Sequence, residues 1–111
     1  MLRKPPRPRR KAEGTVGIEE ILGERRSDIL RIAAHHGARN VRVFGSVARG
    51  DARADSDLDL LVDVGSERST FFPAGLVADL EECLGRRVDV LTEGALHWYI
   101  RDRVLREAVP L

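Results

Sequence analysis

The sequence predicts an α/β (α+β) fold, a small mixed β-sheet of about three strands packed by helices. Three observations predict it. Apolar residues recur at 3.6-residue spacing in three long segments. Short segments rich in Val and Leu lie between them, with the alternation expected of strands. The two kinds of segment follow one another as α-β-(short α)-β-α-β-α, an order that lays helices on a sheet.

Residues 17–36 read as the first helix. Ile18, Ile21, Leu22, Ile29, Ile32 and Ala33 fall on one face, Arg25 interrupts the stripe, and Gly37 is placed to end it. Residues 40–44, NVRVF, alternate as a strand, with Val41 and Val43 on one face and Asn40, Arg42 and Phe44 on the other. Gly45 breaks the strand, residues 46–50 suit a short helical turn, and the polar residues 51–56 suit a loop. Residues 57–64, DLDLLVDV, make the second strand, acidic at its start and apolar at its centre. A loop over 65–70 leads to a helix over 73–84 that opens at Pro73, a favoured first-turn residue. Its stripe is Leu76, Val77, Leu80, Cys83 and Leu84, and Gly85 ends it. Residues 86–91, RRVDVL, form the third strand. Residues 95–108 form the last helix, with Leu96, Ile100, Val104, Leu105 and Ala108 inward, and Pro110 closes the chain.

At 111 residues the chain fits one domain with a modest core. No apolar run approaches the roughly 20 residues of a membrane span, and no apolar segment follows the basic start as it would in a signal peptide. The single cysteine, Cys83, excludes an internal disulfide. A cytoplasmic protein with no membrane partner is expected. The net charge of +1 conceals an asymmetry: residues 1–11, MLRKPPRPRRK, hold six of the 19 basic residues and no acid. Such Pro- and charge-rich sequence buries too little apolar surface to order itself, so residues 1–14 are expected to be a disordered basic tail and residues 15–111 the folded domain. A tail of this charge either contacts nucleic acid or an acidic partner, or is simply solvated.

The densest chemistry lies in residues 45–62, GSVARGDARADSDLDLLV. Asp57 and Asp59 share a strand face about 6.6 Å apart, while Leu58, Leu60 and Val62 point to the other side. Two like charges on a rigid strand raise each other's pKa unless a cation sits between them. Hard oxygen ligands suit Mg²⁺ or Mn²⁺, with water and substrate phosphates completing the shell, and phosphoryl-transfer sites of this kind use two ions. Asp89 is the candidate third carboxylate, because an acid between Val88 and Val90 is costly unless paired or metal-bound. Asp63 has the same parity but lies about 13 Å beyond Asp59, and Asp55 falls in the loop. An EF-hand is excluded, since Leu60 and Ser66 stand where glycine and glutamate are required; a P-loop is excluded by Asp51 and Ala52. Acids on a solvated strand end remain the plain alternative. Against it stands Gly45-Ser46: backbone N–H groups at a strand-to-helix turn bind phosphate, the Ser46 hydroxyl adds a hydrogen bond, and Arg49 follows within one turn.

Gly45-Ser46, ten residues, then Asp57-Leu58-Asp59 resembles the G-S-x₁₀-D-x-D signature of the DNA polymerase β-like nucleotidyltransferase superfamily. The fuller string and the ending RDRVLREAVPL are similar to its minimal nucleotidyltransferase branch, the MntA-type antitoxins paired with HEPN-domain toxins, over roughly residues 17–111. The resemblance implies a nucleotidyltransferase fold and transfer of AMP from ATP, with release of pyrophosphate. It implies that Gly45 and Ser46 hold the triphosphate and that Asp57 and Asp59 bind Mg²⁺. Asp89 would bind metal and help deprotonate the acceptor hydroxyl, in that branch a tyrosine of the toxin. Two alternatives stay open: nucleotide addition to RNA ends, with the basic tail tracking phosphate, and a non-catalytic module that neutralises its partner by contact.

Other residues invite simpler readings. His35 and His36 end a helix, where cations suit its dipole and metal ligation is a lesser option. Cys83 suits a small buried hydrophobe. Trp98 and Tyr99 are adjacent and cannot both face the core, so one is expected outside; Phe71 and Phe72 raise the same question.

Overall fold

The structure is a computed structural model that describes residues 14–66 and 72–111. The expected disordered tail, apart from Gly14, lies outside the described residues, as does Phe71. The elements run β1 (Thr15–Val16), α1 (Ile18–Leu22), α2 (Arg26–His35), β2 (Ala38–Phe44), α3 (Gly45–Arg49), β3 (Ala52–Arg53), β4 (Leu58–Val64), α4 (Ala74–Leu84), β5 (Val88–Leu91), α5 (Trp98–Glu107) and β6 (Val109–Pro110). The main sheet has the order β5-β4-β2-β6, with β4 and β5 parallel and the other pairs antiparallel. It is the mixed, helix-packed sheet expected, with one strand more.

The extra strand is β6. Val109 pairs with Val43 and Pro110 with Arg42, and the Leu111 N–H donates to the Val41 carbonyl at 2.9 Å. Pro110 therefore lies in an edge strand, where a missing donor is tolerated, rather than merely closing the chain. Nor are residues 51–56 all loop: β3 pairs with β1 in a separate two-stranded ribbon. The first helix is two, α1 and α2, separated by a 3-10 turn over Gly23–Arg25 in which Gly23 takes φ +52°. Arg25, the residue that interrupts the stripe, lies in that turn and donates to the Cys83 carbonyl. Cys83 is half-buried beside it, not enclosed.

Alternation gives the sheet two faces. On one, Val41, Val43, Leu58, Leu60, Val62, Val88 and Val90 pack against Leu22, Ile29, Ala33, Leu76 and Leu80 of the helices. On the other, Phe44 and Leu61 meet Leu96 and Val104, with Ile100 and Leu105 at the margin. Arg42 is buried on this second face because Asp63 and Glu93 neutralise it, at 2.9 and 3.0 Å. That engagement also accounts for Asp63 away from the candidate site. The helix α5 begins at Trp98, after a 3-10 turn over Glu93–Ala95. Its inward face is set by Ile100 and Val104, so both Trp98 (80% exposed) and Tyr99 (67%) project from the first turn, where one was expected to. Phe72 packs against the first core. His36 is buried with Nε2 2.7 Å from Asp79 Oδ2, which ties α2 to α4. No helix among the described residues is long and apolar enough to cross a membrane.

Candidate active site

The parallel register of β4 and β5 sets Asp59 directly beside Asp89. Register partners on neighbouring strands project from the same face, about 4.8 Å apart. This is the face on which α5 covers Phe44 and Leu61, and its cover ends short of the two acids: Asp59 is half-buried and Asp89 exposed. Asp89 is therefore not the costly buried acid that its place between two valines suggests. Val88 and Val90 are buried on the far side, while β5 is an edge strand whose near face is open to water at Asp89. Asp57 directly precedes β4, where the Leu58 N–H donates to the Arg87 carbonyl at 2.9 Å.

The phosphate side arrives through β2. Its last residue, Phe44, is the register partner of Asp59, so the chain leaves β2 alongside that carboxylate. Gly45 takes φ +76°, and a Cβ there would overlap Asp59 Oδ2. Only glycine meets both demands. The helix α3 starts at this turn with Ser46 in its first turn and Arg49 as its last residue.

The electrostatics of the corner are those of crowded acids. The Asp59 carboxyl is pushed up from its ordinary 3.8 to about 6, first by burial, then by Asp89 and Asp57, with Glu107 adding to the effect and Arg49 opposing it. Asp57 Oδ1 is buried without a hydrogen-bond partner; Arg87 Nε lies 3.0 Å away as an ion pair but is not aligned to donate. A carboxylate oxygen with an ion-pair neighbour but no hydrogen bond, and beside it an acid held far above its usual range, are what a divalent cation would relieve. The residues present therefore fit Mg²⁺ or Mn²⁺, with Asp57, Asp59 and Asp89 as donors. Among the described residues no three such side chains already close around a metal position.

Arg49, expected on the phosphates, is ion-paired: its Nη1 lies 3.2 Å from both Glu107 oxygens and its Nε 3.4 Å from Asp51. Glu107 is the residue that sequence reasoning missed. Its Oε1 also accepts the Gly45 N–H at 2.9 Å, so a residue from the last turn of α5 reaches into the glycine turn. The signal was available, because a carboxylate at a helix C-terminus opposes the dipole and calls for a partner elsewhere.

Comparison with known proteins bears on the family and the fold. A family model described as "Nucleotidyltransferase domain" matches residues 18–111. Protein adenylyltransferase MntA of Thermococcus cleftensis is 39% identical over 92 residues, 83% of this chain and 90% of its own. A solved structure described as a "putative minimal nucleotidyltransferase" superposes with a TM-score of 0.73 at 53% identity, covering 83% of this chain and 94% of its own. A solved toxin-antitoxin with AMP-PNP superposes with a TM-score of 0.65 over 78% of this chain and 71% of its own; at 17% identity this is a likeness of fold.

Proposed function

The chain belongs to the nucleotidyltransferase-domain family, and from that premise we propose that it transfers AMP from ATP to a hydroxyl, a tyrosine of a HEPN-type toxin, as the antitoxin of a toxin-antitoxin pair in the cytoplasm. Residues 15–111 form the minimal nucleotidyltransferase domain. The observation that carries the reading is the register pairing of Asp59 with Asp89 beside a turn that only glycine can make. The name of the Thermococcus relative, a protein adenylyltransferase, supports the choice of AMP and of a protein acceptor.

Gly45 and Ser46 hold the triphosphate: the Gly45 N–H is donated to Glu107, so glycine serves by letting the phosphates approach the turn, and Ser46 offers its backbone N–H and hydroxyl. Arg49 is the nearby cation for the phosphates, held beside the turn by Glu107 and Asp51. Asp57, Asp59 and Asp89 would hold the Mg²⁺ ions, which when bound neutralise the carboxylates and the phosphate oxygens. Asp89 faces water, where an acceptor on a second protein can approach, and it takes the proton from the acceptor hydroxyl. The acceptor oxygen bonds to the α-phosphorus, the bond to the β-phosphate bridging oxygen breaks, and pyrophosphate leaves with that electron pair.

Incubating the full chain with α-labelled ATP, Mg²⁺ and the partner toxin should label the toxin, and an Asp57→Asn/Asp59→Asn variant should not. An unlabelled toxin, or equal labelling by the variant, refutes the proposal. Label on RNA ends that disappears when residues 1–14 are deleted would favour RNA as acceptor. Protection of cells by the variant would favour neutralisation by contact alone.

A further inference from the structure

We propose that Glu107 is a positioning residue that holds the Gly45-Ser46 turn and Arg49 in the pose that receives the triphosphate. The inference rests on the reading of that turn as a phosphate cradle. Glu107 is the last residue of α5, and its side chain is only 19% exposed. Its Oε1 accepts the Gly45 N–H at 2.9 Å and lies 3.2 Å from Arg49 Nη1; its Oε2 lies 3.2 Å from the same nitrogen. Gly45 and Arg49 are the first and last residues of α3, four apart and so on one helix face. One carboxylate thus clamps the whole length of a five-residue helix that is too short to be stable alone.

Location argues for the same task. An acid in the last turn of a helix is disfavoured by the dipole, and a largely buried one is costly without partners. In the structure the partners of Glu107 come from α3, the helix whose start carries the candidate phosphate groups. The residues that follow tighten the same corner: Val109 pairs with Val43, one residue before the end of β2, and Leu111 donates to Val41. Residues 107–111 therefore brace the β2–α3 turn from one side, while the Asp59 carboxylate packs on Gly45 from the other. Glu107 acts on nucleotide through the turn.

The test compares wild type, Glu107→Ala and Glu107→Gln in the full chain by amide hydrogen exchange and by ATP titration calorimetry with Mg²⁺. In Glu107→Ala, exchange over residues 45–49 should rise about tenfold relative to residues 58–62, and ATP should bind about tenfold more weakly, the scale of one lost charge-assisted hydrogen bond. Glu107→Gln keeps an oxygen that can accept the Gly45 N–H, so it should recover most of the exchange protection and bind ATP within about threefold of wild type. Three outcomes overturn the inference: unchanged exchange at 45–49 in the Ala variant, an equal rise over 58–62, or unmoved ATP affinity. If the wild-type chain binds no ATP, the cradle reading falls and takes this inference with it. If wild type binds and the Ala variant matches it, the inference alone falls.

Discussion

Replacing Asp59 by Asn should stabilise the metal-free protein while abolishing nucleotidyl transfer. The carboxyl has a pKa of about 6 in the fold against an ordinary 3.8, so the native state holds this proton more tightly than the unfolded chain. The group favours folding most below pH 3.8, and that contribution is lost as pH rises through 6. Above this window the charged carboxylate opposes folding by up to about 3 kcal/mol without screening. The side chain is only half-buried, and solvent reduces the figure to about 1–2 kcal/mol. The substituted amide has nearly the same shape and no charge. Thermal denaturation in chelator at pH 8 should therefore place the variant about 4–10 °C above wild type, and at pH 4 the gap should shrink towards zero. Adding Mg²⁺ reverses the order. An ion bound only by the native state at a hundred times its Kd stabilises by about 2.7 kcal/mol, and the variant forfeits most of that together with transfer activity. A variant less stable than wild type in chelator at pH 8 would falsify the account of crowded acids. Equal stabilisation of both proteins by Mg²⁺ would remove Asp59 from the metal site.

Gly45→Ala should cost roughly 1–3 kcal/mol in urea unfolding, because a left-handed residue gains a Cβ that overlaps the Asp59 carboxylate, and ATP affinity should fall with it. An Ala variant of wild-type stability would show that the turn relaxes freely. Leu60→Ala removes a fully buried side chain from the centre of β4 and should cost about 2–5 kcal/mol in the same measurement; a cost below about 1 kcal/mol would mean that the two-faced core is misassigned. Trp98→Ala should change stability by less than about 0.5 kcal/mol. Trp98 is the chain's one tryptophan and is exposed, so its native fluorescence should be quenched by acrylamide almost as fully as in the unfolded chain, and shielding of the free protein would contradict its exposure.

What the sequence makes legible depends on how many residues carry each signal. The strands β2 and β4 are seven residues each, long enough for alternation to divide Val43 and Leu60 from Phe44 and Leu61, and both faces follow from it correctly. Gly45 is legible because a glycine between a strand and a polar turn has few other purposes. The ribbon β1–β3 and the strand β6 are not legible, since two residues have no period and their conformation is set by the strand they pair with. For Asp89 the sequence misleads in part. It shows that the acid interrupts an apolar strand, but only topology shows that β5 is at the edge and that the acid meets water. Glu107 is legible only as an acid set against the dipole of its own helix; its partner lies 62 residues away in sequence, and no local pattern names it.

The placement of the acids follows from how the sheet is covered. Like charges on adjacent strands destabilise a sheet, so Asp59 beside Asp89 is a poor choice for stability alone. Burying both would drive at least one to neutrality, the direction in which the Asp59 pKa is already raised. Exposing both fully would leave a cation competing with bulk water for each oxygen. The observed compromise comes from α5. Its inward residues, with Leu96 just before it, cover Phe44 and Leu61 and stop before Asp59, while its last residue, Glu107, turns to the glycine turn instead. One helix therefore sets how dry Asp59 is and how firmly Gly45 is held. Lengthening or shortening the cover would alter the dryness of the acids and the rigidity of the turn together. That coupling is a physical reason for a chain this short to place the carboxylates and the glycine turn on neighbouring strands under a single helix.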